Sequence, residues 1–464
     1  MVIGEFTQET DLLVIGGGPG GYHAAFRAAE NGLQVILVEA MPDLGGVCLH
    51  RGCIPSKTYL SMAETMHVAA LAKRMGIEFA KPKLEMDAIR DWKSKVVSKL
   101  AGGLDTVAKK HKIERIQGTA RFDNAKSVSV SGDHASRVKF RRAIIATGSK
   151  SIRLRGIEID SPNVLNSRTA LDMKRVPKTL LVIGGGYIGL ELGQVYAAFG
   201  AKVTVVEMLE NIIPGADRDL VRPLARRLDE QFEQVCVETK VTGMKEVKRG
   251  IEVAFEGKKL PKTTVFEQVL VSVGRAPNSG DLRLEKAGVE TDERGFIKVD
   301  DEFKTNNPRV YAIGDVIGNP MLAHKAIHEG NVVGDLVAGK DAVFDPRAIP
   351  AVVFTDPEIA WAGLTETEAK AKGMDVVVKK MPLAASGRAV AIGRTEGTTK
   401  LIFEKSTQRL IGIGLVGPHA GEMIAEGALA LEMGAVAYDL ATTIHPHPTL
   451  SEMIGEAAHM MVHT

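Results

Sequence analysis

Two of the chain's three cysteines stand five positions apart in GGVCLHRGCIPSK, residues 45–57. A close pair of this kind can exchange disulfides, hold a metal, or sit as two free thiols on a tight turn. A disulfide needs Cα atoms roughly 4.4–6.8 Å apart. Five residues of helix rise about 7.5 Å and turn the side chains to different faces, and five residues of strand span about 16 Å. Neither regular element bridges Cys48 to Cys53, so the chain must double back. Gly45, Gly46 and Gly52 permit the positive φ values of such a turn. Pro55 suits the first turn of a following helix. That places Cys53 at a helix N-terminus, where the macrodipole favours a thiolate.

A second reactive stretch lies near the other end, HPHPTLSE at 445–452. Prolines flank His447 and restrict its backbone, and Glu452 follows five residues later. A histidine oriented by a carboxylate takes up a thiol proton near neutral pH. Taken alone, His445 and His447 also read as surface residues or as an H-x-H metal pair. No third ligand has convincing metal spacing, so no catalytic metal is expected.

What must position these groups is written as a repeat. Residues 12–40 read LLVIGGGPGGYHAAFRAAENGLQVILVEA, and residues 180–208 read LLVIGGGYIGLELGQVYAAFGAKVTVVEM. The first seven residues are identical; Gly32 matches Gly200 and Glu39 matches Glu207 at the same offset of 168. Each copy is an apolar strand, a glycine turn, a helix, and a second strand ending in an acid. Gly16, Gly18, Gly21 and Glu39 satisfy the complete dinucleotide pattern, as do Gly184, Gly186, Gly189 and Glu207. The glycines let backbone approach a pyrophosphate, the helix N-terminus supplies N–H groups, and the acid accepts from an adenosine ribose. Two such sites imply two cofactors. Glu207 would repel a 2′-phosphate, and MLENII after it contains no arginine, so the second site favours NAD over NADP.

AIIATGS (143–149) and VLVSVGR (269–275) are strand-then-glycine segments that close the two nucleotide domains. VYAIGDV (310–316) is a further apolar strand ending in Gly314-Asp315, where the carboxylate either meets a ligand hydroxyl or caps a helix. From about 348 the pattern changes to α+β, with a strand pair in LIFEKSTQRLIGIGLVG and a helix in GEMIAEGALALEMGA. Cys236, in EQVCVET, alternates as a strand residue and reads as a structural thiol.

Composition narrows the classes. The 464 residues suffice for two to four domains. Net charge is +2, with 25% charged and 45% hydrophobic residues, which gives no sign of a polyanion partner. Aromatics make up 5% and are not interleaved with basic stretches, which argues against nucleic acid. No apolar run reaches 18 residues, so no membrane span is expected, and the N-terminal segment lacks the basic start of a signal peptide. A close cysteine pair in a chain with only three fits a cytoplasmic catalytic role better than a secreted scaffold.

These motifs, in this order, resemble the pyridine nucleotide–disulfide oxidoreductases, and among them the dihydrolipoamide dehydrogenases. The resemblance covers essentially the whole chain. It rests on GGVC-x4-C-I-P-S-K, the Y-I-G-L-E-L-G form of the second fingerprint, MLAHKA at 321–326, and HPHPTLSE. It implies FAD at the first fingerprint, with Glu39 on its ribose, Lys57 near the flavin ring, Thr147, Gly148, Gly314 and Ala323 lining the site, and Asp315 on the ribityl chain. It implies NAD at the second, with Glu191, paired with Lys57, near flavin and nicotinamide, and Gly274 at the same site. Cys48 would exchange with substrate and Cys53 would face the flavin as a redox-active disulfide partner. His447 would be the base with Glu452 its partner, and His445 receives no role. His50 and Arg51 depart from the family's asparagine and small apolar residue, which bears on substrate preference.

The expected architecture is α/β: two Rossmann-like dinucleotide-binding domains plus an α+β C-terminal interface domain that dimerises. Residues 1–149 carry FAD and the redox loop, 150–277 bind NAD, 278–347 complete the flavin site, and 348–464 form the interface. A helical, lysine-rich insertion is expected at 58–110, and no appended lipoyl domain at either end. The implied activity is oxidation of protein-bound dihydrolipoyl groups by NAD⁺, in a homodimer serving the acyltransferase and lipoyl domain of a 2-oxoacid dehydrogenase complex. A glutathione-reductase-like activity is disfavoured by Glu207 and by the first histidine. A mercuric reductase would need C-terminal cysteines. A non-catalytic flavin scaffold would not need His447 and Glu452.

Overall fold

The computed structural model describes residues 6–132, 136–154 and 156–463. The first five residues of the N-terminal segment lie outside that range. Contacts divide the chain into two compact units: 1–58, 87–152 and 274–345 form one, and 59–86, 153–273 and 346–464 the other.

The first unit is built on a seven-stranded sheet. Parallel strands run in the order Glu114–Gln117, Val35–Glu39, Phe6–Ile15, Ser136–Ile145, with Val310–Ala312 also parallel to the last of these. Antiparallel strands Ser127–Ser131 and Thr119–Asn124 extend it. The strand LLVI at 12–15 is buried on both faces, as a central parallel strand requires. The helix Pro19–Glu30 crosses from the first strand to the second and packs on the helix Ala323–Leu336. Only small residues allow that packing: a Cβ on Gly330 would lie 2.4 Å from the Gly20 carbonyl oxygen.

The second unit repeats the device. Five parallel strands run Gln234–Cys236, Lys202–Val206, Thr179–Ile183, Gln268–Val271, Val164–Asn166. A three-stranded antiparallel sheet (240–247, 250–256, 263–266) packs beside them. The C-terminal part is a five-stranded antiparallel sheet covered by helices Ala420–Met433 and Glu452–Val462. The strand pair expected in LIFEKSTQRLIGIGLVG is the hairpin Thr398–Glu404 and Leu410–Gly417. Lys400, fully buried on that hairpin, reaches Asp217 at 2.8 Å and Glu366 at 2.7 Å. Removing one partner would leave a buried charge unpaired, so this cluster holds the C-terminal sheet against the start of the helix Arg218–Gln231.

The 58–110 region is helical over Cys53–Ala72 and Met86–Lys110. No helix among the described residues is long and apolar enough to cross a membrane.

Candidate active site

Each fingerprint makes the same cradle. In the first, one carboxylate oxygen of Glu39 accepts from the Gly17 N–H at 2.6 Å and the other from Met41 at 2.8 Å. In the second, Glu207 accepts from Gly185 at 2.7 Å and Leu209 at 2.8 Å. The acid thus ties the glycine turn to the end of the neighbouring strand. The turns leave no room for side chains: a Cβ on Gly21 would fall 1.9 Å from the Gly16 oxygen, and one on Gly189 2.3 Å from the Gly184 oxygen. Gly18 and Gly186 cap the following helices with extended backbone and no side-chain cap, so the first helical N–H groups face outward. Gly186 faces open space, and a Cβ there would meet nothing within 4 Å. This donor set fits a dinucleotide pyrophosphate at both turns.

The redox loop lies against the first cradle. Gly45 (φ 123°) and Gly46 (φ 57°) adopt the predicted left-handed conformations, whereas Gly52 does not, at φ −147°. The Gly45 N–H donates to Gly17 O at 2.7 Å, and a Cβ on Gly46 would meet Gly18 Cα at 2.6 Å. Cys48 sits not on an open turn but on a short helix, Gly46–Arg51. That helix breaks at Gly52, and a new helix begins at Cys53 as the macrodipole argument requires. The break, rather than a loop, is what lets the sulfurs face each other. Here both stand as thiols. A hydrogen bond to Cys53, then burial, then the charge of Cys53 push the Cys48 thiol up, with Lys57 opposing. His50 is turned onto the Leu44 carbonyl at 2.8 Å.

Further residues frame the same unit. Thr147 Oγ1 donates to Asn278 O at 2.8 Å, and the Asn278 N–H donates to Gly148 O at 2.9 Å. Asp315, in a short helical turn at Gly314–Ile317, accepts from Ser149 Oγ. Arg275 donates to Ser149 Oγ and O, both at 2.7 Å, and lies 3.7 Å from Asp315. Glu329, 1% exposed, accepts from the Gly314 N–H at 2.7 Å and pairs with Lys325. Burial pushes the Glu329 carboxyl up, against the pull of Lys325. Ala323 opens the helix that carries this pair. Asn278, Ser149, Arg275, Lys325 and Glu329 were not singled out from the sequence. Only the Lys325–Glu329 spacing, one helical turn, carried a local signal. Gly274 (φ 128°) lies where the chain returns to the first unit.

In the second unit Glu191 is buried, and one of its oxygens accepts from the Phe354 N–H at 3.0 Å. His447 is 79% exposed, with Nδ1 on Glu452 at 2.8 Å; the other Glu452 oxygen accepts from Thr449 N–H at 2.6 Å. Those two contacts, the Thr449 N–H foremost, hold the Glu452 carboxyl below its ordinary value. Its carboxylate fixes the ring so that Nε2 is the nitrogen left to take a proton. Cys236 is buried in the strand Gln234–Cys236, and burial pushes its thiol up.

Residues 10–330 match the pyridine nucleotide-disulphide oxidoreductase family, and 349–458 match its dimerisation domain. The chain belongs to this family. It is 46% identical over 454 residues to a dihydrolipoyl dehydrogenase of Vibrio parahaemolyticus, covering 97% of this chain and 95% of that one. It is 44% identical over 465 residues to one of Geobacillus stearothermophilus, covering 100% and 98%. Among solved structures it resembles LpdA from Mycobacterium tuberculosis (TM-score 0.90, 25% identity, 97% of this chain and 99% of that chain). It also resembles the HOCl-induced flavoprotein disulfide reductase RclA from Escherichia coli (TM-score 0.87, 28% identity, 97% and 99%). The family uses FAD and NAD(H), in accord with two cradles in one chain. The dimerisation match makes the chain a homodimer. Within it Leu429, Met433, Tyr438 and Ile444 stand exposed, apolar surface of the kind that subunit contact buries.

Proposed function

We propose that the protein is an FAD-dependent dihydrolipoyl dehydrogenase that oxidises protein-bound dihydrolipoyl groups and reduces NAD⁺. The observation that carries this reading is the Cys48–Cys53 pair, hydrogen-bonded at a helix start and seated directly on the first dinucleotide cradle. In the reaction, His447 takes a proton from one substrate thiol. The thiolate attacks Cys48 Sγ; an S–S bond forms there, and the Cys48–Cys53 bond breaks with Cys53 leaving as thiolate. The second substrate thiol attacks the mixed disulfide and closes the substrate disulfide, and its proton passes to the departing Cys48, which leaves as a thiol. The substrate has lost two electrons and the cysteine pair has gained them. When bound, FAD and NAD supply the two-electron acceptor chemistry that restores the enzyme disulfide.

In this reading the four regions 1–149, 150–277, 278–347 and 348–464 have the roles given from sequence. Gly16, Gly18, Gly21, Glu39, Lys57, Thr147, Gly148, Gly314, Asp315 and Ala323 hold FAD. Gly184, Gly186, Gly189, Glu191, Glu207 and Gly274 serve NAD. His447 and Glu452 act on the partner subunit's Cys48. The protein works in the cytoplasm on the lipoyl domain of a 2-oxoacid dehydrogenase complex. Side-by-side assays of dihydrolipoamide and glutathione, each with NAD⁺ and NADP⁺, test it. Fastest turnover with dihydrolipoamide and NAD⁺ is expected. Faster turnover with glutathione, or a preference for NADP⁺, would overturn it.

A further inference from the structure

The first histidine of HPHP has no part in the reaction above, yet it is the better held of the two. Its side chain is 9% exposed, against 79% for His447. Nε2 lies 2.7 Å from Glu426 Oε1, on the helix Ala420–Met433, and Nδ1 lies 3.0 Å from the Thr443 carbonyl oxygen. Both partners accept, so satisfying both takes an N–H on each nitrogen, the pattern of an imidazolium. The ring also packs on the helix Glu452–Val462. A Cβ on Gly455 would come 3.1 Å from Nδ1. Gly455 is three residues after Glu452, on the same helical face. The ring is therefore clamped one turn beyond the carboxylate that orients His447.

His447 itself has little else to hold it. Beyond Glu452, its loop is secured by Thr449, whose hydroxyl donates to Pro446 O at 2.8 Å and whose N–H meets Glu452. Thr449 fixes the loop two residues after the base, and His445 fixes it two residues before. We propose that His445 is the positioning residue of the base dyad: an imidazolium, clamped between two helices, that fixes the loop presenting His447 and sets the field at Glu452. Glu426 faces it from one helix, and Glu452 feels its charge from the other. Asp439, from the helix Ala437–Thr442, spends its carboxylate on the Val436 N–H at 2.9 Å. This inference rests on the reading of His447 as the base.

The test compares His445→Gln and His445→Ala with wild type as flavin-loaded dimers. It follows kcat and KM for free dihydrolipoamide, the pH profile of kcat/KM, melting temperature and flavin content. Misplacing the base should lower kcat on the order of 10- to 100-fold. KM should change little, and Ala should lose more than Gln, which keeps one donor. Losing a cation beside the dyad favours its protonated form, so the acid limb of the profile should move to higher pH. Glu426→Gln should move kcat in the same direction by less. A His445→Gln chain with wild-type kcat overturns the inference, and so does a kcat loss with an unmoved pH profile. An active His447→Gln chain would sink the base reading, and with it this inference. An active wild type, a dead His447→Gln and a silent His445→Gln would sink the inference alone.

Discussion

The two dinucleotide cradles agree further than their sequences do. Gly45 and Ile213 stand at the same repeat offset of 168 and share no chemistry. Yet the Gly45 N–H donates to Gly17 O at 2.7 Å, and the Ile213 N–H donates to the matching Gly185 O at 2.9 Å. Both take positive φ, 123° and 47°. For glycine that costs nothing; for a buried β-branched residue it is strained. Before them, Leu44 and Ile212 cover Gly17 and Gly185 in the same way. The cradle is thus a backbone device, kept even where a side chain resists it. One residue later the copies part. The first enters the helix Gly46–Arg51 and delivers Cys48 and Cys53. The second runs through Pro214 and Gly215 to Asp217 and a nucleotide-domain helix anchored by Lys400. The cradle is common to both copies, and the cysteine pair belongs to one.

The largest effect should come from breaking the difference itself. Cys48→Ser should abolish dihydrolipoamide turnover while leaving flavin bound, because the cradle does not depend on the sulfur. Loss of flavin from that variant would mean the redox loop is part of the cradle rather than an addition to it.

An intermediate effect should come from filling the shared turn. Gly21→Ala and Gly189→Ala each force a Cβ onto a carbonyl oxygen, and such overpacking costs typically about 1–3 kcal/mol. The first should weaken flavin retention and leave the KM for NAD⁺ alone. The second should raise that KM and leave flavin alone. Flavin release on ultrafiltration and steady-state kinetics separate the two, and crossed effects would break the assignment of cofactors to cradles.

The smallest effect should come from the acids. Glu39→Gln and Glu207→Gln keep one accepting oxygen and lose one of two bonds to backbone N–H groups. Each should cost on the order of 1 kcal/mol, about fivefold in affinity for its own cofactor. A Glu207→Gln chain should also discriminate less against NADP⁺, since the negative charge is gone; unchanged selectivity would assign that discrimination to other residues.

What was legible in the sequence was local or periodic. The repeated strand–turn–helix units, the helix start at Cys53 and the His447–Glu452 spacing each depend on residues a few positions apart. Backbone sterics and helix geometry decide such features without the rest of the chain. The helix carrying Cys48 was missed for the same reason: six residues among three glycines offer no period to read. Partners of the site residues were not legible. Arg275 finds Ser149 and Asp315 because a two-stranded pairing sets 275–277 beside 149–151. Glu191 finds the Phe354 N–H, 163 residues away.

The sequence alone therefore determined which chemistries the chain carries: two dinucleotide cradles, one redox thiol pair and one histidine–carboxylate dyad. Tertiary structure decided which side chains hold them in place. Glu329 under Gly314, Asn278 on Thr147 and Glu426 on His445 are each a buried or half-buried polar group meeting a partner brought to it by sheet register or helix packing. A group removed from water must find a partner inside the fold. Which partner it meets is fixed only when distant segments close around it.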